Sequence, residues 1–365
     1  MKERRVDFWF LASILALLAA GFIIFISASM GLYARDGASF THIISRQILF
    51  GFVFGGIGLI IMSQVHYRNL RRYAFYLFLA SIFVSLFVFV PGIGFESGGA
   101  RRWISIGSLS FQPSELLKIG FVIYLSAWLS GIKSKMHSFK YGIIPFVLLM
   151  GLVSAILLAE PDAGTLLVIG LSAGSMYIAA GANMKDILTL GVIACVFAAI
   201  VVAWKPYILD RVMTFANPLS DPQGSGFQVK QSLIAIGSGQ VFGRGFGQSV
   251  QKFSYLPEPI GDSIFAVAGE EFGFVGSTTL LALFTTFLLL GLRIAKHAPD
   301  LFGGLLVVGI VILIVSQSLI NIASMLGVFP LSGMPLIFVS HGGTALAVTL
   351  TSLGIVLNVS KYQRI

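Results

Sequence analysis

Residues 255–271 (YLPEPIGDSIFAVAGEE) close a long polar segment and run straight into an apolar one. Asp262, Glu270 and Glu271 therefore fall where water meets oil. Asp262 has aromatic neighbours at Phe253, Tyr255 and Phe265, and no basic residue in the nine positions before it. Partial loss of hydration raises the pKa of such a carboxylate towards a general base's useful range. A base of that kind can take a proton from a sugar hydroxyl. The same residues also suit a helix start, with Asp262 as cap and the glutamates favoured by the positive end of the helix dipole. At the level of residue types both readings stand.

Other charged groups sit in comparable places. Arg101 and Arg102 precede Trp103; a guanidinium fork matches phosphate oxygens, but arginine and tryptophan also anchor interfaces. Glu115 and Lys118, three apart, share one face at the start of an apolar run. Charges there cost about 2.5–3.5 kcal/mol on insertion scales, so they must face each other or a polar cleft. Glu160-Pro-Asp162 reads as a tight turn with Asp162 capping the next helix. Glycines and prolines at 327, 330, 333, 335, 342 and 343 interrupt the last apolar stretch. Broken backbone at membrane depth survives only against protein or a water-filled cavity, so a polar crevice is expected there. The five histidines are scattered without metal-ligand spacing, and a divalent cation is compatible with the chain but not demanded by it.

The elements that must position these groups are apolar helices. Hydrophobic residues make up 56% of the 365 and charged residues 11%, far below the ~25% of a soluble domain. Windows at 8–28, 46–64, 73–90, 114–130, 142–158, 164–180, 187–204, 264–292, 303–323 and 343–360 predict about ten transmembrane helices in a single domain over 1–365. Fourteen of the 24 basic residues fall in alternate loops with both termini, which places the termini in the cytoplasm. That distribution makes the net charge of +9 a topology signal and argues against nucleic-acid binding. The expected outer face then carries a long loop, 205–263, between helices seven and eight. Within it, 227–236 reads as a short interfacial helix. The run 237–247 (GSGQVFGRGFG) reads as turns or close backbone approach and lacks the Lys-Ser/Thr of a phosphate-binding loop. The single cysteine, Cys195, excludes an internal disulfide and is expected as a small core residue.

Five blocks together resemble the SEDS family (shape, elongation, division and sporulation). They are Gly99-Ala-Arg-Arg-Trp103, Gln112-Pro-Ser-Glu-Leu-Leu-Lys118, Pro161-Asp-Ala-Gly-Thr165, residues 247–258 with Asp262 and Glu270-Glu271, and Gly333-Met-Pro-Leu-Ile-Phe338 with Gly342-Gly343. The run before Tyr255 is more similar to the division branch, FtsW, than to the elongation branch, RodA. Three blocks depart from the family pattern. Ile260-Gly-Asp-Ser263 stands for His-Thr-Asp-Phe, Glu160 for the Gln of Gln-Pro-Asp-Leu-Gly-Thr, and Ser340-His-Gly-Gly-Thr344 for Ser-Tyr-Gly-Gly-Ser.

The resemblance implies an inverting peptidoglycan glycosyltransferase. It would polymerise lipid II into β-1,4 glycan at the outer face of the bacterial cytoplasmic membrane during septal wall synthesis. A class B penicillin-binding protein would be its transpeptidase partner, alongside other division proteins. Asp262 is the expected catalytic residue, and Arg101, Arg102, Glu115, Lys118, Glu258, Glu270 and Ser340 the expected substrate-binding set. Two rivals remain at this level: a lipid II flippase, against which no repeated half with matching broken helices is visible, and a non-catalytic scaffold for the transpeptidase.

Overall fold

The computed structural model describes residues 5–34, 37–97, 100–106, 109–136, 138–217, 221 and 224–363. Lys2, Glu3, Arg4, Gly98, Gly99, His137, Pro218, Pro222 and Arg364 lie outside them. Helices occupy all ten predicted windows. They are α1 (Phe8–Tyr33), α2 (Gly37–Arg46) running through a π-helical segment Gln47–Phe54 into α3 (Gly55–Gln64), and α4 (Tyr67–Leu86). After a small sheet follow α5 (Pro113–Gly131), α6 (Ile144–Ala159), α7 (Ala163–Ala179) and α8 (Met184–Trp204). The long loop carries α9 (Pro206–Ala216), α10 (Ser225–Ser238) and α11 (Gln251–Ser254), before α12 (Ile264–Lys296), α13 (Leu301–Met325) and α14 (Gly343–Ser360). Among the described residues eight helical segments are long and apolar enough to cross a bilayer, so this is a multi-pass membrane protein. Of the other two windows, α7 is a shorter apolar helix and α5 carries Glu115 and Lys118.

Helix α13 is the centre. It packs against α5, α7, α12 and α14 and is buried along nearly its whole length. A helix apolar all round belongs in that position. At its N-terminus Asp300 caps α13 through Gly303 N (2.8 Å) and accepts from Tyr67 Oη (2.9 Å) and Arg68 Nε (3.1 Å). Asn358 accepts from Tyr67 N and donates to Ser63 O, both at 2.9 Å, so α14, α3 and α4 meet at one amide.

α8 is the opposite case. Leu188, Val192, Val196 and Ile200 are all exposed, and so is Cys195, which is not the core residue expected from its apolar surroundings. The helix stands off the bundle and turns its apolar sides to lipid. Between it and α6 and α7 lies an apolar cavity of about 560 Å³, lined among others by Phe146, Met150, Gly170, Leu171, Gly191 and Phe197.

Two outer segments hold structure that their composition concealed. An antiparallel sheet is formed by β1 (Gly94–Ser97), β2 (Ala100–Ile106) and β3 (Leu109–Phe111), in that order. Within the long loop, the predicted interfacial helix is α10, and it packs on α12.

The glycine-rich run has a specific task. At Gly273 (φ 63°, ψ −159°) helix α12 breaks. The loop supplies the missing partners: Phe274 N donates to Gln240 O (2.9 Å) and Val275 N to Val241 O (3.1 Å). In return Arg244 N donates to Glu270 O and Gly245 N to Glu271 O, each at 3.0 Å. Backbone broken at membrane level is thus paired with protein, as lipid requires. Gly243 (φ +81°) lies so close that an added Cβ would collide with the Glu271 carbonyl. Gly243→Ala is therefore expected to destabilise the protein by about 2–4 kcal/mol, read as a lowered Tm in detergent. Gly191→Ala on α8, where an added Cβ meets nothing within 4 Å, should leave Tm unchanged or slightly raised.

Candidate active site

Asp262 ends the turn Pro257–Gly261. Glu258, at φ 46°, accepts from Gly261 N (3.0 Å) and Ser263 N (3.2 Å) through its carbonyl, while Leu256 and Ile260 are buried beneath. Ser263 occupies the N-cap of α12 without a side-chain cap bond. Asp262 is thus not the helix cap that its position allowed.

The backbone around Asp262 is held from two further segments. Asn321 Nδ2 on α13 donates to Asp262 O and to Met334 O, both at 2.8 Å. Ser340 Oγ donates to Gly261 O (2.7 Å) and accepts from Leu336 N (2.8 Å), and His341 N donates to Ile260 O (2.7 Å). Gln47, at the start of the π-helical segment, closes the arrangement by donating to Ser340 O (3.3 Å) and accepting from Gly342 N (3.1 Å). The broken stretch 327–343 therefore clamps the loop that ends at Asp262.

The carboxylate itself faces a cation. A Cβ built on Gly333 (φ +66°) would lie 3.5 Å from Arg211 Nη2 and 3.7 Å from Asp262 Oδ2, so the two side chains approach each other across a glycine. Arg211, on α9, also donates to Ser332 O (3.1 Å). Arg102 extends the positive charge. It donates to Glu160 O (3.2 Å) and Pro161 O, which seats β2 on the α6–α7 turn. Burial pushes the Asp262 carboxyl up to about 6, helped by Glu258; Arg211 and Arg102 pull the other way. Arg211 is lowered by burial and then by Arg102. Two guanidiniums held this close beside a part-buried carboxylate make a site that favours an added anion.

The remaining expected residues separate into groups. Glu258 is exposed beside Asp262. Arg101, adjacent to Arg102 on a strand whose side chains alternate, is exposed on the other face. Glu115 and Lys118 form a buried pair (2.9 Å), and Lys118 also donates to Gln317 Oε1 (2.7 Å). Gln317 Nε2 donates in turn to Pro335 O (3.2 Å), so the pair braces the broken stretch from α5. Glu270 is buried in another cluster, accepting from Ser249 Oγ (2.6 Å), Val250 N (3.1 Å) and Gln251 N (3.2 Å). Its neighbour Glu271 pairs with Lys252 (2.6 Å) and with Ser27 of α1. Asp162 caps α7 through Thr165 N (3.2 Å), as its turn predicts, and also accepts from Gln112 and Ser114. Sequence reasoning missed Arg211, Gln47 and the clamp by Asn321; the dipeptide Asp210-Arg211 carries no spacing signal, because its partner lies across the fold.

Glu160 stands apart. It is fully buried, and among the described residues neither carboxylate oxygen has a hydrogen-bond partner. Burial, then Asp162, raise its pKa to about 8, against the opposing pull of Arg102. In the unfolded chain it ionises near 4.5. Below 4.5 both states hold the proton and nothing is lost. Between 4.5 and about 8 the unfolded state ionises while the folded state stays protonated, so stability falls with rising pH. Glu160→Gln removes this penalty. Its Tm advantage over the parent should be near zero at pH 4.5 and largest around pH 8; an advantage independent of pH would contradict the buried neutral acid.

The apolar cavity shares helices with this site. Its lining includes Ala163, beside Asp162, and Ile208, one helical turn before Arg211. A cavity able to hold a hydrocarbon chain thus has walls one residue from the Asp162 cap and one helical turn from Arg211.

A family model described as cell cycle protein, the FtsW/RodA/SpoVE family, matches residues 8–365. Stage V sporulation protein E of Bacillus subtilis is 39% identical over all of this chain and 99% of its own length. A probable peptidoglycan glycosyltransferase FtsW of Geobacter sulfurreducens is 37% identical, covering 99% of this chain and 96% of that protein. Among solved structures, a chain of a peptidoglycan synthase complex that coordinates polymerization and crosslinking superposes with TM-score 0.80 at 27% identity, covering 98% of this chain and 99% of that one. The rod shape determining protein RodA of Thermus thermophilus gives TM-score 0.72 at 27% identity over 98% of both chains. With a matching model over nearly the whole length and relatives well above 30% identity, the chain belongs to the SEDS family of FtsW, RodA and SpoVE proteins.

Proposed function

We propose that this protein is a peptidoglycan glycosyltransferase that polymerises lipid II at the outer face of the cytoplasmic membrane. The observation that carries the reading is the approach of Asp262 and Arg211 at Gly333. Its carboxyl, pushed up to about 6, is ionised at neutral pH yet basic enough to take a proton. In the proposed step Asp262 removes the proton of the acceptor GlcNAc 4-hydroxyl. That oxygen bonds to the anomeric carbon of the lipid-linked MurNAc from the face opposite the leaving group. The bond from that carbon to the pyrophosphate oxygen breaks, and undecaprenyl pyrophosphate departs with the electron pair.

Arg102 and Arg211 meet the developing negative charge, where preorganised cations are most effective. Lys118, also a candidate for this task from the sequence, is occupied by Glu115 and Gln317. The groove between α6, α7 and α8 takes part of the prenyl chain. The names of the FtsW relatives and the polymerising complex among the structural neighbours support both the chemistry and a class B penicillin-binding protein as partner. Septal wall synthesis is the proposed setting; the match to a stage V sporulation protein supports a role in sporulation as the second reading.

The test is purified full-length protein with its class B partner and lipid II in detergent, where no second compartment exists for transport. Glycan polymer should form with the parent. It should fall by at least ~10²-fold in Asp262→Asn, with Tm retained. Undiminished polymer from the variant would overturn the role of Asp262. Absence of polymer from the folded parent complex would overturn the glycosyltransferase reading in favour of transport or scaffolding.

A further inference from the structure

Helix α12 is longer than a bilayer needs. Its 33 residues are two helices joined across the break at Gly273, and the second, 274–296, alone extends about 35 Å at ~1.5 Å per residue, against a hydrocarbon core of about 30 Å. The excess lies at the outer end. Residues 274–292 contain no charged side chain and are followed by Arg293; that run alone matches the core. The part before the break at Gly273 therefore stands above the hydrocarbon, and Gly273 marks the outer boundary.

The glycine-rich loop is bonded to the helix at that level, through Gln240 O and Val241 O to Phe274 N and Val275 N. Its tip is apolar and outward. Phe242 is 82% exposed, the highest value for a large apolar side chain among the described residues, and Val241, Phe274 and Val275 are exposed next to it. Arg244 adds a half-exposed basic side chain paired with Glu270 (3.6 Å). The patch is continuous with the lipid-facing side of α12, and its height, aromatic tip and flanking arginine match the headgroup–acyl boundary.

We infer that the Val241-Phe242 tip is a membrane anchor seated at the headgroup–acyl boundary of the outer leaflet. The loop that carries it also holds the Glu270 and Glu271 carbonyls, so it fixes the outer part of α12, which begins two residues after Asp262. On the proposed function, the anchor sets the height of Asp262 over the pyrophosphate of a lipid-linked sugar.

The test is site-directed spin labelling of the full chain in phosphatidylethanolamine–phosphatidylglycerol nanodiscs, which reads no activity and is independent of the glycosyltransferase assay. Phe242→Cys is labelled in a Cys195→Ala background, and its accessibility to oxygen and to a soluble nickel chelate is compared with two references. Leu289→Cys, exposed on the span, reports lipid, and Arg101→Cys, exposed on the outer sheet, reports water. The label at 242 should resemble 289, with oxygen favoured several-fold over nickel. A nickel-accessible label like that at 101 would overturn the anchor, and so would shielding from both reagents, which would indicate a second copy or another protein on the patch. If Phe242→Cys fails to fold, Val241→Cys reads the same boundary with the same outcomes.

Discussion

A carboxylate is useful as a base near neutral pH only if it is stripped of part of its water and still kept accessible, and the outer half of this molecule is arranged around that constraint at Asp262. The backbone of the residue is fixed from α13 by Asn321 and from the broken stretch by Ser340 and His341. Because the main chain carries these restraints, the side chain can remain open towards Arg211 and Arg102. Burial raises its proton affinity, the two cations limit the rise, and the balance lies within general-base range.

The same constraint explains why so apolar a bundle tolerates two buried ionic clusters. Glu115, Lys118 and Gln317 tie α5 and α13 to Pro335, on the stretch that clamps Asp262. Glu270, Glu271, Lys252 and Ser249 tie α1, α11 and the outer part of α12 into one unit. Each cluster is closely paired, as charges must be when removed from water. Both act on irregular backbone: one on the interruption between α13 and α14, the other on the break in α12. Helices alone would span the membrane without them; the irregular segments that build the site would not hold their shape.

Much of this was legible in the sequence. The ten apolar windows coincide with helices because lipid leaves a backbone no alternative, and Asp262 stood out because a carboxylate at a water–oil boundary requires a reason. The cap at Asp162 and a shared helix face for Glu115 and Lys118 follow from spacing, while the choice between a mutual pair and a polar cleft was left open there and the fold shows the pair. What sequence could not give was contact across the fold. Arg211 sits 51 positions before Asp262, and the two side chains approach each other where Gly333, from a third segment, leaves room. The sheet at 94–111 was hidden by short strands, and Cys195 looked like core because an apolar neighbourhood does not distinguish protein from lipid as its surroundings. Glu270 had the right chemistry for a ligand, but its oxygens are taken by the α11 backbone and Ser249.

The most direct measurement is the pH dependence of glycan polymerisation by the parent and by Arg211→Gln. A base at Asp262 balanced by Arg211 requires a rate that rises with pH through an inflection near 6 in the parent and at higher pH once the cation is removed. A rate flat from pH 5 to 8, or an inflection that Arg211→Gln leaves in place, would contradict it.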